Sequence, residues 1–229
     1  MISVKDVKKR YKVGEKDFWA LNGVSLDIAD GEFVAITGKS GSGKSTLLNI
    51  IGTLDNVTSG VVSVEGKDVS QFDRKQIATF RNKTVGFVFQ SFYLEPNFTV
   101  YANVELPLIL AGKVGNNRKT VEHVLSLVGL SDKIDEKARG LSGGEQQRVA
   151  IARAIVNNPT YLLADEPCGN LDTANGNKIM EIFTALNKQG KTIIMVTHDA
   201  DDAAKAKRIV TMSDGQILND ENVSQTNRA

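Results

Sequence analysis

Phe33-Val34-Ala35-Ile36-Thr37-Gly38-Lys39-Ser40-Gly41-Ser42-Gly43-Lys44-Ser45-Thr46-Leu47-Leu48 is the stretch that decides the fold. Phe33 to Ile36 form an unbroken apolar run, the pattern of a strand buried on both faces. Leu47, Leu48, Ile50, Ile51 and Leu54 then recur at the spacing of one buried helix face. Between strand and helix, Gly38 to Ser45 satisfies the pattern G-x-x-x-x-G-K followed by Ser or Thr. Glycines there let the backbone wrap a polyphosphate with its N–H groups turned inward. The helix N-terminus adds favourable partial charge, Lys44 reaches the outer phosphates, and the Ser45 hydroxyl suits Mg²⁺. Gly38, Ser40, Gly41, Ser42, Gly43, Lys44, Ser45 and Thr46 are therefore the candidate residues for binding a nucleoside triphosphate.

Working outward, short strand-like runs fill the first part of the chain: Val24 to Ile28, Phe33 to Thr37, and Val61 to Val64 before a Glu65-Gly66 turn. The middle, from about Pro96 to Gly140, reads as helical, with Val121, Val124, Leu125 and Val128 on one face and Gly129 placed to end that helix. Buried strands return at Tyr161 to Ala164 and Thr192 to Val196. Asp214-Gly215 between Ile209-Val210 and Ile217-Leu218 reads as a hairpin. Buried strands alternating with helices predict an α/β protein around a largely parallel sheet, with the helical stretch as an inserted lobe.

Bulk properties narrow the function classes. Net charge is +1 with abundant charge of both signs, so no nucleic-acid footprint is expected. No apolar stretch approaches the roughly 20 residues that span a bilayer. The start, Met1 to Asp6, lacks the apolar segment of a signal peptide. With Cys168 the only cysteine, no intramolecular disulfide forms, and a cytosolic compartment is expected. Action at a membrane would require a partner.

Two further motifs carry chemistry. Tyr161-Leu162-Leu163-Ala164-Asp165-Glu166 is an apolar strand ending in two carboxylates, where parallel sheets place ligands. Asp165 suits a Mg²⁺ shell and Glu166 suits the orientation of an attacking water. Leu141-Ser142-Gly143-Gly144-Glu145-Gln146-Gln147-Arg148 opens a helix running through Val149, Ile151, Ala154 and Ile155. Ser142 is a natural N-cap, and the glycine pair leaves backbone N–H groups open to a second anion.

Together these motifs resemble those of the ABC ATPases, the nucleotide-binding subunits of ABC transporters, over essentially the whole chain. Gly38 to Ser45 matches the family's Walker A motif, Leu162 to Glu166 its Walker B motif and Leu141 to Gln147 its signature. The resemblance implies an ABC-type P-loop ATPase with a mixed, largely parallel core sheet, an N-terminal antiparallel β-subdomain and an inserted α-helical subdomain. It implies a single domain over 1–229: a RecA-like core with the β-subdomain in 1–90 and 159–229, and a helical subdomain over about 91–158. Gln90, after Val85 to Phe89, resembles the Q-loop glutamine, a Mg²⁺ ligand and sensor of the membrane partner. Gly169-Asn170-Leu171-Asp172 resembles the D-loop, and His198 the switch histidine that meets the γ-phosphate. Tyr11 is the candidate to stack on adenine, with Phe18 and Trp19 as competitors; His123 is expected to be without a role. Cys168 stands where close relatives commonly carry Thr, a small-for-small exchange compatible with packing.

The implied cofactors are ATP and Mg²⁺, with Ser45, Gln90 and Asp165 as metal ligands and Lys44, Gln90, Glu166 and His198 as catalytic residues. Ser142, Gly143, Gly144 and Glu145 are implied to act in trans, across a homodimer that sandwiches ATP. Within the family, Gly23 to Ile28, Leu47 to Leu54 with Asp55, Gly86 to Gln90, Thr99 to Leu108 and Ala164 to Pro167 are most similar to the lipoprotein-release and macrolide-export group. That group pairs its ATPase with a permease bearing a large extracytoplasmic domain, which implies a place on the cytoplasmic face of the membrane. The cell-division ABC ATPases share a segment like Thr99 to Val104 and would imply control of cell-wall hydrolysis without transport. Soluble repair or translation ATPases fit poorly, since one cassette fills the chain with no coiled coil or second cassette. Phe92, Tyr93, Leu94 and Phe98 are either a surface for the permease or core.

Overall fold

The computed structural model describes residues 1–14 and 16–223. In chain order the first elements are β1 (Ile2–Val13), β2 (Lys16–Ile28), β3 (Phe33–Gly38), α1 (Lys44–Ile51), β4 (Ser59–Val64) and β5 (Lys67–Asp68). Next come α2 (Arg74–Lys83), β6 (Val85–Phe89), α3 (Val100–Leu110), α4 (Arg118–Leu127), α5 (Gly143–Ile155) and β7 (Tyr161–Asp165). The last are α6 (Thr173–Lys188), β8 (Thr192–Val196), α7 (Ala200–Ala203), β9 (Arg208–Ser213) and β10 (Gln216–Asn222). Two compact units emerge, one built from Met1–Ile77 with the described residues from Thr192 onward, the other from Ala78–Lys191.

The first unit holds two sheets. In one, β1 pairs antiparallel with β2 and β4, burying Ile2, Val4 and Val7. Strand β2 begins eight residues before the expected Val24. Its exposed first residues owe their extended form to pairing with Arg10 to Val13 rather than to burial, so they carry no apolar signal. In the other sheet β3 lies between β8 and β9, parallel to both, and β9 turns into antiparallel β10. Phe33 to Ile36 and all of β8 are buried, as their unbroken apolar runs require. The β9–β10 hairpin turns at Asp214 and Gly215, whose φ values of 49° and 74° are those of a type I′ turn. Helix α1 buries Leu47, Leu48, Ile50 and Ile51 but stops at Gly52. Thr53 adopts a φ of 61°, and Leu54, expected on the buried helix face, lies past the end and is 40% exposed.

In the second unit β6 and β7 pair in parallel, with Phe89 opposite Asp165. Helix α5 packs on β6 so closely that a Cβ on Gly86 would fall 2.4 Å from the Ala154 carbonyl oxygen. Val121, Val124 and Leu125 of α4 and Val149, Ile151 and Ile155 of α5 are buried, as their spacing predicts. Three helix starts are capped: Thr99, Ser142 and Asp172 each accept a backbone N–H from the first turn of α3, α5 and α6.

Candidate functional site

In the first unit, the segment from Gly38 to Lys44 is a loop closed around its own lysine. Gly38, Gly41 and Gly43 take φ values of 141°, 79° and 100°, a region that favours glycine. A Cβ on Gly38 would sit 2.2 Å from the Met212 carbonyl oxygen, and one on Gly43 2.4 Å from that of Ala20. The Ser42 carbonyl accepts from the N–H of Gly215, so the β9–β10 turn props the loop from behind. Lys44 is buried, and its Nζ donates to the Gly38 and Lys39 carbonyls at 2.9 Å each, which leaves a third donor for an anion.

Two observations fit this loop to phosphate. Helix α1 has Gly43 at its N-cap, with no side chain to satisfy its first N–H groups and no acidic residue in its first turn. The buried Ser42 hydroxyl has no hydrogen-bond partner, a cost that an arriving acceptor removes. Ser40 lies exposed in the loop, and Ser45 and Thr46 stand in the first turn of α1. His198 is exposed just past β8, whose end Val196 is in register with Ile36 of β3. It therefore emerges at the same sheet edge as the loop. Asp199, next in the chain, caps α7 through the N–H groups of Asp201 and Asp202. On β1 the Tyr11 hydroxyl donates to Asp55 Oδ2 at 2.5 Å, while Phe18 and Trp19 are exposed on β2.

In the second unit, Asp165 ends β7 and Glu166 follows with a φ of 48°, a strained backbone for a residue with a Cβ. Gln90 leaves β6 at the same edge, one residue past Phe89. Its Nε2 donates to Asn170 Oδ1 at 3.2 Å and its carbonyl accepts from Asn170 Nδ2 at 3.2 Å. Gln90 is thereby tied to Gly169-Asn170-Leu171-Asp172. Cys168 is half-buried, and a Cβ on Gly176 would meet its side chain at an ordinary 3.7 Å.

At the start of α5 the structure closes a loop that the sequence left open. The Glu145 carboxylate accepts from both the N–H and the hydroxyl of Ser142 at 2.8 Å, completing a capping box. Those two bonds hold the Glu145 carboxyl below its usual range. A Cβ on Gly144 would meet the Asn175 side chain at 2.5 Å, so this glycine is needed for α5 to approach α6. Gly143 faces no such limit and stays exposed.

Gln147 is the residue the sequence did not single out. It is fully buried, and its Nε2 donates to the Phe89 carbonyl at 3.2 Å and the Pro167 carbonyl at 2.6 Å. Those carbonyls flank Gln90 and Glu166 in the chain, so one amide of α5 clasps both strand ends. Phe92 and Leu94 are half-buried, and Tyr93 and Phe98 are 69% and 47% exposed, so none of the four is core. The Arg153 guanidinium, pushed down by burial, braces that segment by donating to the Phe92 and Tyr93 carbonyls. His123 is exposed, and its carbonyl accepts from the Ser126 hydroxyl.

The family model described as ABC transporter matches residues 21–169. The chain belongs to the ABC transporter family. This ABC ATPase is 50% identical over 220 residues to a macrolide export ATP-binding/permease protein, MacB, of Chlorobaculum tepidum, covering 96% of this chain. It spans about a third, 34%, of the length of that relative. It is 48% identical over 219 residues to the uncharacterised ABC transporter ATP-binding protein YknY of Bacillus subtilis, at 95% of both chains. Among solved structures, the dimeric post-hydrolysis state of the ATP-binding cassette MJ0796 with ADP and Pi superposes with a TM-score of 0.91. That match has 43% identity over 98% of this chain and 99% of the other. The ABC ATPase thus has the fold of such cassettes, and it binds and hydrolyses ATP.

Proposed function

We propose that this ABC ATPase powers a membrane permease of the lipoprotein-release and macrolide-export group, closing as an ATP-bound homodimer to drive export or to transmit force across the membrane. The observation that carries this reading is the match of 96% of the chain to a third of a protein named as both ATP-binding and permease. Among the described residues no helix is long and apolar enough to cross a membrane. We assign the membrane work to a permease with a large extracytoplasmic domain, with the ATPase on its cytoplasmic face, a reading supported by the joint ATP-binding and permease name of that relative. The dimeric cassette MJ0796 supports the pairing of two copies. Near-neutral charge supports the absence of a nucleic-acid partner.

The roles follow from the chemistry of each group. Lys44 and the N–H groups from Gly38 to Thr46 bind the phosphates and stabilise charge developing on them. Ser45, Gln90 and Asp165 offer hard oxygen donors suited to Mg²⁺. When bound, the ion neutralises charge on the outer phosphates. Glu166 orients the attacking water, and His198 holds the γ-phosphate end. Tyr11 stacks on the base. Ser142, Gly143, Gly144 and Glu145 reach the nucleotide of the partner copy, carried by the helical subdomain proposed over about 91–158.

Glu166→Gln tests the assignment. This variant should bind ATP with wild-type affinity, lose turnover and accumulate as a dimer at saturating ATP in light scattering. A variant that stays monomeric there would count against the closing mechanism. Affinity purification from membranes tests the partner: a permease with a large extracytoplasmic domain is expected, and recovery of division proteins alone would replace the export reading.

A further inference from the structure

Three aromatic side chains compete for the base, and their surroundings differ. Trp19 has the Arg10 guanidinium 5.7 Å from its ring, and Arg10 in turn pairs with Asp17 at 3.0 Å. Phe18 lies opposite Tyr11 on β2 and has no polar handle. Tyr11 is held by a network. Its hydroxyl donates to Asp55 Oδ2 at 2.5 Å. Lys9, on the same face of β1 two residues earlier, donates to Asp55 Oδ1 at 2.5 Å and to the Asn56 carbonyl at 2.7 Å. Its ammonium lies 4.9 Å from the centre of the Tyr11 ring. The Lys9 and Asp55 side chains are only 12% and 29% exposed, so solvent does little to loosen them.

Asp55 is also fastened to the phosphate-binding helix. Its N–H and that of Leu54 both donate to the Asn49 carbonyl in the last turns of α1, at 3.3 and 2.7 Å. The ring of Tyr11 is therefore tied, through Asp55, to the last turns of the helix that begins at the phosphate loop. Burial alone would raise the Asp55 carboxyl, but the bonds from Lys9 and Tyr11 hold it below the usual range and ionised.

We propose that Asp55 is a positioning residue for the base of ATP: with Lys9 it locks the Tyr11 ring in one orientation, at a fixed distance from the phosphate loop along α1. This rests on the reading of Tyr11 as the base-stacking residue. A locked ring forfeits no rotamer freedom on binding, whereas a loose one must be ordered by the nucleotide.

The test compares ATP with inorganic tripolyphosphate, which has the phosphates and no base, by calorimetric titration of the full chain with Mg²⁺. Tyr11→Phe keeps the ring and removes the anchor; Asp55→Ala removes the anchor from the other side; Asp55→Asn keeps an acceptor for Tyr11 but loses the charge that holds Lys9. ATP affinity should fall about three- to tenfold in Tyr11→Phe and Asp55→Ala and less in Asp55→Asn, with tripolyphosphate affinity unchanged in all three. Equal losses for both ligands would make Asp55 part of the loop's scaffold and overturn the proposal. So would unchanged ATP affinity in Tyr11→Phe and Asp55→Ala while Tyr11→Ala binds ATP poorly. A Tyr11→Ala variant that binds ATP normally would instead overturn the reading of Tyr11 itself.

Discussion

Replacing Gln147 with leucine removes the donor that serves two backbone carbonyls deep in the second unit, those of Phe89 and Pro167. Only the NH₂ end of the amide can face two carbonyl oxygens, so its orientation is fixed by its partners. Each carbonyl deprived of that donor costs about 1–3 kcal/mol. The Gln147 Oε1 is itself buried without a partner, and its removal offsets roughly one such cost. The net loss is about 1–3 kcal/mol, which lowers the Tm of a chain of this size by about 2–12 °C. The effect on turnover should be larger than on binding. The two carbonyls flank Gln90 and Glu166, and small misplacements of reacting groups cost up to about 10²-fold in rate, while the phosphate loop lies in the other unit. Gln147→Glu sharpens the test, because it sets carboxylate oxygens against carbonyl oxygens without adding a cavity. It should melt below Gln147→Leu at neutral pH and recover on acidification, when a protonated carboxyl regains one donor. Thermal unfolding at two pH values, with steady-state ATPase kinetics, reads all of this. A leucine variant with wild-type Tm and kcat, or a glutamate variant as stable as wild type, would refute the clasp.

Other outcomes follow from the loop and the caps. Lys44→Ala should weaken ATP binding by about 10- to 150-fold, the worth of a charge-assisted bond to phosphate, and unchanged affinity in a titration would remove Lys44 from that role. Gly38→Ala places a Cβ against the Met212 carbonyl at a φ of 141°, so a soluble variant with wild-type Tm and nucleotide affinity would contradict the loop geometry. Glu145 has its carboxyl lowered in the folded state by the Ser142 N–H and hydroxyl. Its contribution is therefore present above the ordinary glutamate range and lost as pH falls through the lower folded value. Glu145→Gln should narrow the stability difference between neutral and acid solution, and an unchanged acid limb would argue against the capping box.

The buried strands were legible because they carry no polar interruption: Phe33 to Ile36, Tyr161 to Ala164 and Thr192 to Val196 admit one reading. The hairpin was legible from Asp214-Gly215, a pair that tolerates two positive φ values. The long β1 was not, since Lys5-Asp6 and Lys8-Lys9-Arg10 mask its apolar positions, and a register shift between Val4 and Val7 breaks the alternation. Leu54 was misread because helical spacing continues past Gly52 while the backbone does not. In the site, the glycines and charged groups announce themselves through residue type. Gln147 does not, and Asp55, though it stands in a family-like stretch after Leu54, carries no sign of its bonds to Tyr11 and Lys9. An amide or a carboxylate acquires its role from whichever carbonyl, hydroxyl or ammonium folding brings to it, here partners 20 to 58 and 44 to 46 positions away.

The backbone at Glu166 has a consequence for how this protein can change. A φ of 48° disfavours any residue with a Cβ, by about 1–2 kcal/mol relative to glycine. Glycine at this position would relieve that backbone cost while removing the carboxylate proposed above to orient water, so on that proposal backbone strain and turnover oppose each other at a single residue. On that proposal, a descendant that no longer needed the carboxylate could release this backbone strain with one substitution.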